Sequence, residues 1–283
     1  MSVPEMDAYH FDLLGYVRLE GALNADEVAA LNGCIDAIPP LDPGQWYGYV
    51  HGHSFEPKDG INYQQIYEAG APFEALIDHP AWIEHVKLFV GGAGSFDYTQ
   101  GPLFIDETFA NLRGPGDAIG MHSGGDRHSK RNQYHYKNGE FMVCQVNVLV
   151  ALMDIKPGDG GTVFIPASHK QNLEHPLMTK HIMGSEFCSG DGMPLSEEIF
   201  MKAGDAVIFA DTICHGSARR VNEGQRRTVV QRYGPSWGFF RHGYRPSKEL
   251  LERLTPERRQ IVWPHDVLPR EPNLKDDIPP ADA

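Results

Sequence analysis

The sequence MHSGGD at residues 121–126 and the sequence PGDGGTVFIPASHK at residues 157–170 decide the fold. An apolar run at 143–154 lies between them, and GDAVIF at 204–209, HGS at 215–217 and RRTVV at 226–230 follow. Short apolar segments separated by Gly, Pro and Asn are typical of β-strands. Helical patterns come first and many short strands come after. We therefore predict a mainly β protein with a double-stranded β-helix core (a jelly roll, cupin-like) and flanking α-helices.

The residues outside these strands divide into two flanking regions. Apolar residues recur at helical spacing before the strands begin and again near the C-terminus. Because sandwiches and barrels of this length are often single domains, we expect one domain over residues 1–283. Its predicted parts are a helical buttress at about 4–95, the jelly-roll core at about 96–240, and a C-terminal helix and tail at 241–283.

Three helices and one loop are predicted within the flanking regions. Asn24 offers an N-cap followed by an acidic first turn, and Pro39 ends that helix. Further helices are predicted at 72–89 and 247–261. The stretch 41–70 is rich in Gly, Pro, Tyr and His and has weak periodicity, so we predict a loop that covers a pocket and carries its histidines at the surface.

The composition excludes several classes of function. The formal net charge is −13 at pH 7, which argues against nucleic-acid and anionic-membrane partners because both favour a basic face. The four cysteines have no close-paired spacing, so we interpret them as reduced thiols in a cytoplasmic protein. No apolar run approaches the length of a membrane span. An anionic small molecule held by local arginines is still allowed, and the oligomeric state is left open.

Two histidines on predicted strands, with an arginine after the second, form the pattern of a metal site that has an anion bound beside it. Alternate residues of a strand share a face, so His-x-Asp or His-x-Glu plus a distant His supplies three ligands on one side of a metal. Such a facial triad leaves positions for a 2-oxo acid and dioxygen in iron(II) oxygenases. An arginine after the second His pairs the far carboxylate of that acid through its planar fork. The candidates are His122, His215 and Arg226.

Several motifs, in the order observed, resemble the phytanoyl-CoA dioxygenase family. They are GYV at 15–17, NADE at 24–27, GGTVFIPASHK at 160–170, GDAV at 204–207 and HGS at 215–217. The resemblance extends over roughly residues 8–240. It implies an enzyme with a jelly-roll core that uses iron(II), 2-oxoglutarate and dioxygen.

The resemblance also implies roles for particular residues. His122 matches the first iron ligand and His215 matches the second. Arg226 matches the arginine that pairs with 2-oxoglutarate, and Ser217 matches the hydroxyl that contacts the same carboxylate. Arg227 should point to the opposite side of its strand. His169, in the PASHK motif, is interpreted as a structural histidine.

The departure from the family pattern is at Gly124, where the family has Asp or Glu. Glycine has no ligating side-chain atom, and three explanations stay open. A halide such as chloride occupies the position, as in the related halogenases with a His-x-Ala or His-x-Gly motif. Alternatively, Asp126 moves in as a third ligand, because the two glycines before it free the backbone. In the third explanation, water fills the position, and the protein either hydroxylates with two protein ligands or binds iron weakly and is inactive. Asp211 is a poorer substitute for the missing carboxylate than Asp126.

Residues near the first histidine supply further candidates. The stretch 126–140 is the most basic in the chain, and it is either a solvated hairpin loop or a surface facing an anionic or polar substrate. Gln145 and Asn147 share a face of the next strand, so Gln145 is a candidate cofactor contact, although a structural hydrogen bond satisfies it equally.

The predicted reaction is hydroxylation of an aliphatic C–H bond of a small molecule. A halogenase that uses the position left by Gly124 and a non-enzymatic, cupin-like metal- or ligand-binding protein are the alternatives.

Overall fold

The computed structural model describes residues 2–56, 58–91, 101–124, 133–238 and 244–264. The helices found there are α1 (Glu5–Leu14), α2 (Ala25–Asp36), α3 (Ala71–Glu74), α4 (Ile83–Val90), α5 (Met178–His181), α6 (Lys248–Arg253) and α7 (Pro256–Val262). None of these helices is long and apolar enough to cross a lipid bilayer. At the start of α2, the Asn24 side chain accepts hydrogen bonds from the backbone N–H groups of Asp26 and Glu27, which confirms the predicted N-cap.

The strands form two sheets and one separate hairpin. They are β1 (Tyr16–Leu19), β2 (Trp46–Tyr47), β3 (Val50–His53), β4 (Ile61–Gln64), β5 (Leu103–Arg113), β6 (Tyr134–Lys137), β7 (Glu140–Val143), β8 (Val146–Ala151), β9 (Thr162–Phe164), β10 (Glu197–Ile199), β11 (Ala206–Ala210), β12 (His215–Ser217) and β13 (Arg226–Pro235). The major sheet has the order β1-β11-β8-β13-β5-β4-β3-β2, and the minor sheet has the order β10-β9-β12. Strands β6 and β7 pair with each other.

The major sheet is buried on both faces along its central strands. On β8, Val148 and Val150 pack into the core shared with α1, α2 and α4, whereas Leu149 and Ala151 pack into a second core between the sheets. Successive residues of a strand point to opposite faces. A strand covered on both sides therefore lacks apolar/polar alternation, as the apolar residues 148–153 show.

The minor sheet covers the inner face of the major sheet. Phe164 of β9 packs against Tyr16 and Phe209 of the opposite sheet, with ring centroids 5.0 Å away in both cases. All strand pairs in both sheets are antiparallel. Two antiparallel sheets packed face to face confirm the predicted mainly β, double-stranded β-helix architecture.

The loop predicted at 41–70 is wrong in part, because β2, β3 and β4 extend the major sheet beyond β5. His51 is half-buried rather than a surface side chain, and its Nδ1 lies 2.6 Å from the Tyr244 hydroxyl. These strands are held by backbone hydrogen bonds to a neighbour, which a weak side-chain pattern does not reveal. Strands β2 to β4 also lie inside the predicted helical buttress, so they add to the sheet before residue 96.

The helix predicted at 247–261 is two helices. Leu254 has extended backbone angles, φ −69° and ψ 148°, so it ends α6. Thr255 then caps α7 through its side chain, and Pro256 occupies the first turn, where its missing N–H costs nothing. The apolar spacing of the two short helices nearly coincides, which explains why it resembles that of one long helix.

Candidate active site

Two short backbone segments bring the predicted ligand histidines together. The His122 N–H donates to the His215 carbonyl at 2.8 Å, and the His215 N–H donates back to the His122 carbonyl at 3.0 Å. Residues directly opposite in an antiparallel pair place their side chains on the same face. The ring centroids are accordingly 4.0 Å apart. Histidines that are distant in the sequence therefore converge at the edge of the minor sheet.

Backbone carbonyl groups orient both imidazoles. The His122 Nδ1 lies 3.0 Å from the Gly120 carbonyl oxygen, and the His215 Nδ1 lies 2.7 Å from the Ile213 carbonyl oxygen. A carbonyl oxygen only accepts, so each neutral ring carries its proton on Nδ1 and a lone pair on Nε2. Histidines that bind metals are oriented in this way. The pair is thus arranged to ligate one cation through two Nε2 atoms.

The electrostatics of His215 favour the form that binds metals. Burial lowers the pKa of His215 well below its usual value, and the neighbouring His122 ring lowers it further. Only the neutral imidazole has a lone pair to give to a metal. The fold therefore keeps His215 unprotonated at neutral pH.

Arg226, at the start of β13, approaches the histidines from the major sheet. It is 1% exposed, and its hydrogen bonds to Asn111 Oδ1 and Thr162 Oγ1 are long, at 3.4 Å each. Its Nε has no hydrogen-bond partner, and none of the described carboxylates lies within 4 Å of the guanidinium. Burial, and then the neighbouring Arg113, lower the pKa of Arg226 well below its usual value. A buried guanidinium without an acid partner is suited to receive a carboxylate.

The next residue, Arg227, points to the other face of β13, as predicted. Its Nη2 lies 2.7 Å from Asp36 Oδ1 on α2, and its Nη1 donates to Asn32 at 3.2 Å. The two adjacent arginines therefore have separate surroundings, one inside the barrel and one beneath a helix.

His122, His215 and Arg226 line one cavity. Its apolar wall is formed by Phe109, Leu149, Phe209 and Val230, and its polar end by Asn111, Arg113, Thr162 and Thr228. Ligand pockets commonly combine an apolar wall with a few polar groups in this way. A larger surface groove of about 1040 Å³ lies beside Arg18 and Lys202, but neither histidine nor Arg226 lines it.

The backbone after His122 turns instead of continuing as a strand. Ser123 has φ 62° and Gly124 has φ 69°, both in the left-handed region. A Cβ atom on Gly124 would lie 2.5 Å from Cys214 Cβ and 3.1 Å from Cys214 Cα. The expectation that residue 124 shares a face with His122 is therefore wrong for this chain. A side chain at residue 124 would point into the strand that carries His215.

The third ligand position is not filled by any carboxylate in the part of the chain that the structure describes. No cluster of three or more His, Cys, Asp or Glu that suits a metal occurs there. Asp211 accepts a hydrogen bond at 2.9 Å from Asn147 Nδ2. Asp126, the other predicted candidate, lies outside the described residues.

The predicted hydroxyl contact, Ser217, lies on the same strand as His215 and is 1% exposed. Its Oγ accepts a hydrogen bond at 2.8 Å from the Ile119 N–H. Thr162, directly opposite Ser217 on β9, is the hydroxyl that lines the cavity and contacts Arg226. A serine hydroxyl also has one hydrogen to donate, so the carboxylate contact of Ser217 stays a prediction.

Gln145, the other predicted cofactor contact, is fully buried and does not line the cavity. Its Nε2 donates to Asp106 Oδ2 at 3.1 Å. The alternative predicted from the sequence, a structural hydrogen bond, is therefore present, and the cofactor contact of Gln145 stays a prediction.

His169 has a structural position, as predicted. Its Nε2 lies 3.0 Å from the Asp12 carbonyl oxygen, and its ring packs edge-on against Tyr134 with centroids 4.6 Å apart. Burial lowers the pKa of His169 to about 4. This folded-state pKa lies below the ordinary value near 6.5, so the neutral His169 ring stabilises the folded protein. That stabilisation is complete above pH 6.5 and is lost as the pH falls towards 4.

We expect His169→Gln to remove this part of the pH dependence of stability. Glutamine can still donate to the Asp12 carbonyl but does not titrate. The difference in free energy of unfolding between the wild type and the variant should be about 2 kcal/mol larger at pH 7 than at pH 4.5. Urea unfolding at the two pH values measures this difference. A gap that stays constant with pH would show that His169 does not titrate during unfolding.

Arg113, the last residue of β5, is a cavity residue that was not predicted from the sequence. It is 4% exposed and lines the polar end of the cavity. Alternation along β5 was the available signal, because Phe109, Asn111 and Arg113 share one face. What that face meets is decided by the pairing of β5 with β13, which the sequence alone does not reveal.

Fold and site together define a class of protein. Two imidazoles at one edge of a jelly roll, with a buried arginine across the cavity, are the arrangement of non-haem iron oxygenases that use a 2-oxo acid. The model of the family "Phytanoyl-CoA dioxygenase (PhyH)" matches residues 11–228. The chain belongs to the phytanoyl-CoA dioxygenase family. Its class, the iron(II)/2-oxoglutarate-dependent oxygenases, confirms the predicted enzyme class and cofactors.

The chain is also similar to individual proteins in sequence or in fold. The dioxygenase cdmD of Talaromyces verruculosus is 29% identical over 125 residues, which are 44% of this chain and 36% of that protein. The matching segment thus spans about a third of the curated relative. HygX of Streptomyces hygroscopicus, solved with nickel and 2-oxoglutarate bound, has a TM-score of 0.68 at 21% identity, covering 88% of this chain and 94% of HygX. SnoK, a non-heme alpha ketoglutarate dependent carbocyclase from nogalamycin biosynthesis, has a TM-score of 0.55 at 15% identity, covering 82% of this chain and 84% of SnoK. These structures share the fold.

Proposed function

We propose that this chain couples the oxidative decarboxylation of 2-oxoglutarate to the hydroxylation of an aliphatic C–H bond in a small molecule. One observation carries the proposal. The lone pairs of His122 and His215 and the acid-free guanidinium of Arg226 face a single cavity. In a stoichiometric reaction, 2-oxoglutarate, dioxygen and the substrate give succinate, carbon dioxide and the hydroxylated product.

The described residues fit an iron ion and a 2-oxo acid. Two neutral imidazoles are suitable ligands for iron(II), and the carbonyl contacts at their Nδ1 atoms fix the donor atoms. The unpaired Nε of Arg226 suits the far carboxylate of 2-oxoglutarate. Iron(II), when bound, supplies the activation of dioxygen.

The residues of the chain have three tasks in this scheme. His122 and His215 bind the metal at the edge of the minor sheet. Arg226 and Thr162 would hold the far carboxylate of the cosubstrate at the polar end of the cavity that the histidines also line. Phe109, Leu149 and Phe209 form an apolar wall that excludes water from the reacting atoms.

The test is succinate formation from 2-oxoglutarate in air with iron(II), in wild type and Arg226→Gln. Removing one partner of a buried ionic contact costs roughly 2–5 kcal/mol, so the variant should need about a hundredfold more 2-oxoglutarate for half-maximal rate. The measurement is the rate against 2-oxoglutarate concentration. Arg227→Gln, on the opposite face of the same strand, is the matched control and should behave as wild type.

A non-enzymatic, cupin-like binding protein is the competing class. It would give no succinate under any condition and would lose iron on dialysis. Equal 2-oxoglutarate dependence in wild type and Arg226→Gln would also contradict the proposed site.

Halogenation is the second candidate reaction, favoured by the surroundings of Gly124. Because residue 124 cannot direct a side chain to the metal, an external ligand is free to take the third position. Turnover in chloride and then in bromide, followed by mass spectrometry of the product, separates the reactions. A halogenase adds the mass of the supplied halogen, whereas a hydroxylase adds one oxygen in either salt.

The charge of one segment of the chain suggests the class of substrate. An anionic or polar small molecule is our proposal, because the basic stretch 126–140 follows the first ligand histidine. Its residues 134–140 belong to the hairpin of β6 and β7, and residues 126–132 lie outside the described part. The cytoplasmic location and the lack of nucleic-acid or membrane partners stay predictions.

A further inference from the structure

Two arginines lie directly opposite each other at the polar end of the cavity. Arg113 of β5 and Arg226 of β13 are paired in the antiparallel register. Paired residues place their side chains on the same face, about 5 Å apart at Cβ. Both arginines line the cavity and are at least 96% buried. Two like charges in this position repel each other, and burial removes the water that would screen them.

Neither guanidinium is neutralised by an acid in the described part of the chain. Arg113 makes no ion pair within 4 Å there, and its Nε and Nη1 have no hydrogen-bond partner. Burial lowers the pKa of Arg113, and the charges of Asp59 and Asp117 offset part of that lowering. Neither carboxylate forms an ion pair with Arg113, and both accept hydrogen bonds within their own turns. Asp59 accepts from Ser54 Oγ at 2.6 Å and from the Phe55 N–H at 2.7 Å. Asp117 accepts from the Gly114 N–H at 2.8 Å.

The other buried arginines show how unusual this pair is. Arg220 contacts Asp159 at 2.9 Å, and Arg232 contacts Glu107 at 2.9 Å. A buried charge without a partner costs several kcal/mol unless a ligand supplies the opposite charge. Thr228, the next cavity residue along β13, adds a buried hydroxyl without a partner. Unpartnered donors thus converge from two strands on one point.

We propose that Arg113 is a second carboxylate-binding residue, so that the distal carboxylate of the 2-oxo acid is held between Arg113 and Arg226. This inference rests on the proposed function and adds a specificity-determining residue to it. A carboxylate has about four lone-pair sites, enough for two guanidinium groups. The two-arginine end should select strongly for 2-oxo acids that carry a distal carboxylate over those that end in a methyl group.

The test is calorimetric binding of two acids to the full chain loaded with zinc(II), which is not redox-active. 2-Oxoglutarate carries the distal carboxylate, and 2-oxobutyrate lacks it. In Arg113→Gln, affinity for 2-oxoglutarate should fall at least about tenfold, since a hydrogen bond to a charged group contributes that much. Affinity for 2-oxobutyrate should stay within about twofold. Arg227→Gln should match wild type for both acids.

Thermal unfolding without ligand separates a binding role from a structural one. Removing an unpaired buried charge beside another should leave the melting temperature of Arg113→Gln equal to or above that of wild type. A lower melting temperature combined with equal losses for the two acids would mean that Arg113 supports the sheet, and this would overturn the inference.

The two levels of the proposal fail in different ways. If wild type binds 2-oxoglutarate, Arg226→Gln loses it and Arg113→Gln keeps full affinity, the second arginine is refuted and the proposed function stands. If neither acid binds to zinc-loaded wild type, or if Arg226→Gln binds 2-oxoglutarate as wild type does, the proposed function itself fails.

Discussion

Replacing His122 with alanine is expected to abolish measurable succinate formation and to weaken iron(II) binding by more than about a hundredfold. Loss of a residue that merely orients a metal ligand already costs about 10–100-fold in affinity. His122 is one of only two ligands that the described residues provide, so its loss should cost more. Equilibrium dialysis against iron(II), with metal analysis of the retained protein, measures the affinity.

His122 is partly exposed, so its truncation should disturb packing little. His175→Ala is the control, because His175 caps its own turn through Leu177 and does not line the cavity. The control should keep wild-type iron binding and turnover. A His122→Ala protein that is folded and retains wild-type iron affinity would remove the metal site from this cavity.

A second large effect is expected at Gly124, on stability. Gly124→Ala should lower the free energy of unfolding by roughly 2–5 kcal/mol, combining a left-handed backbone with an overpacked contact against Cys214. Gly192 has the same φ of 69°, and no atom lies within 4 Å of the position that an added methyl group would occupy. Gly192→Ala therefore isolates the backbone contribution, at about 1–2 kcal/mol. Urea unfolding of the two variants measures the difference.

The contact at Gly124 also reaches the metal site. Cys214 precedes His215, so a methyl group that pushes Cys214 away should displace the second ligand histidine and weaken iron binding. Equal destabilisation by Gly124→Ala and Gly192→Ala would contradict the close approach to Cys214.

This steric conflict limits what Gly124→Asp can reveal. Adding a carboxylate at this position does not recreate a facial triad, because the side chain would meet Cys214 and Gln171 before it reached the metal. Loss of halogenation in such a variant would report misfolding as readily as a change of chemistry. Product analysis in two halides is therefore the better discriminator between the candidate reactions.

The sequence was sufficient to name three residues that the structure brings to one cavity. His122, His215 and Arg226 are named by their match to motifs that occur in the order of the family, although the two histidines are distant in the sequence. The direction of residue 124, two positions after His122, was wrongly predicted. The rule that residues i and i+2 share a face assumes an extended strand. Two successive left-handed residues break that assumption.

What could not be predicted depends on contacts between distant segments. The role proposed for Arg113 depends on its pairing with Arg226 in the sheet. The register between two strands that are distant in the sequence is not visible in a local sequence pattern. Strands β3 and β4 were missed for a related reason, since their hydrogen bonds to each other and to β5 come from the backbone. The hydrogen-bond partner of Gln145, Asp106, lies on another strand, so the sequence alone does not identify it.

The central claim is that two imidazoles and one guanidinium serve a single metal and its 2-oxo acid. The most direct measurement is an anaerobic crystal structure with iron(II) and 2-oxoglutarate, using the anomalous signal of iron. We predict one iron peak bonded to the Nε2 atoms of His122 and His215, with the distal carboxylate of 2-oxoglutarate on Arg226. Iron bound elsewhere, or a 2-oxoglutarate carboxylate that does not reach Arg226, would contradict the account.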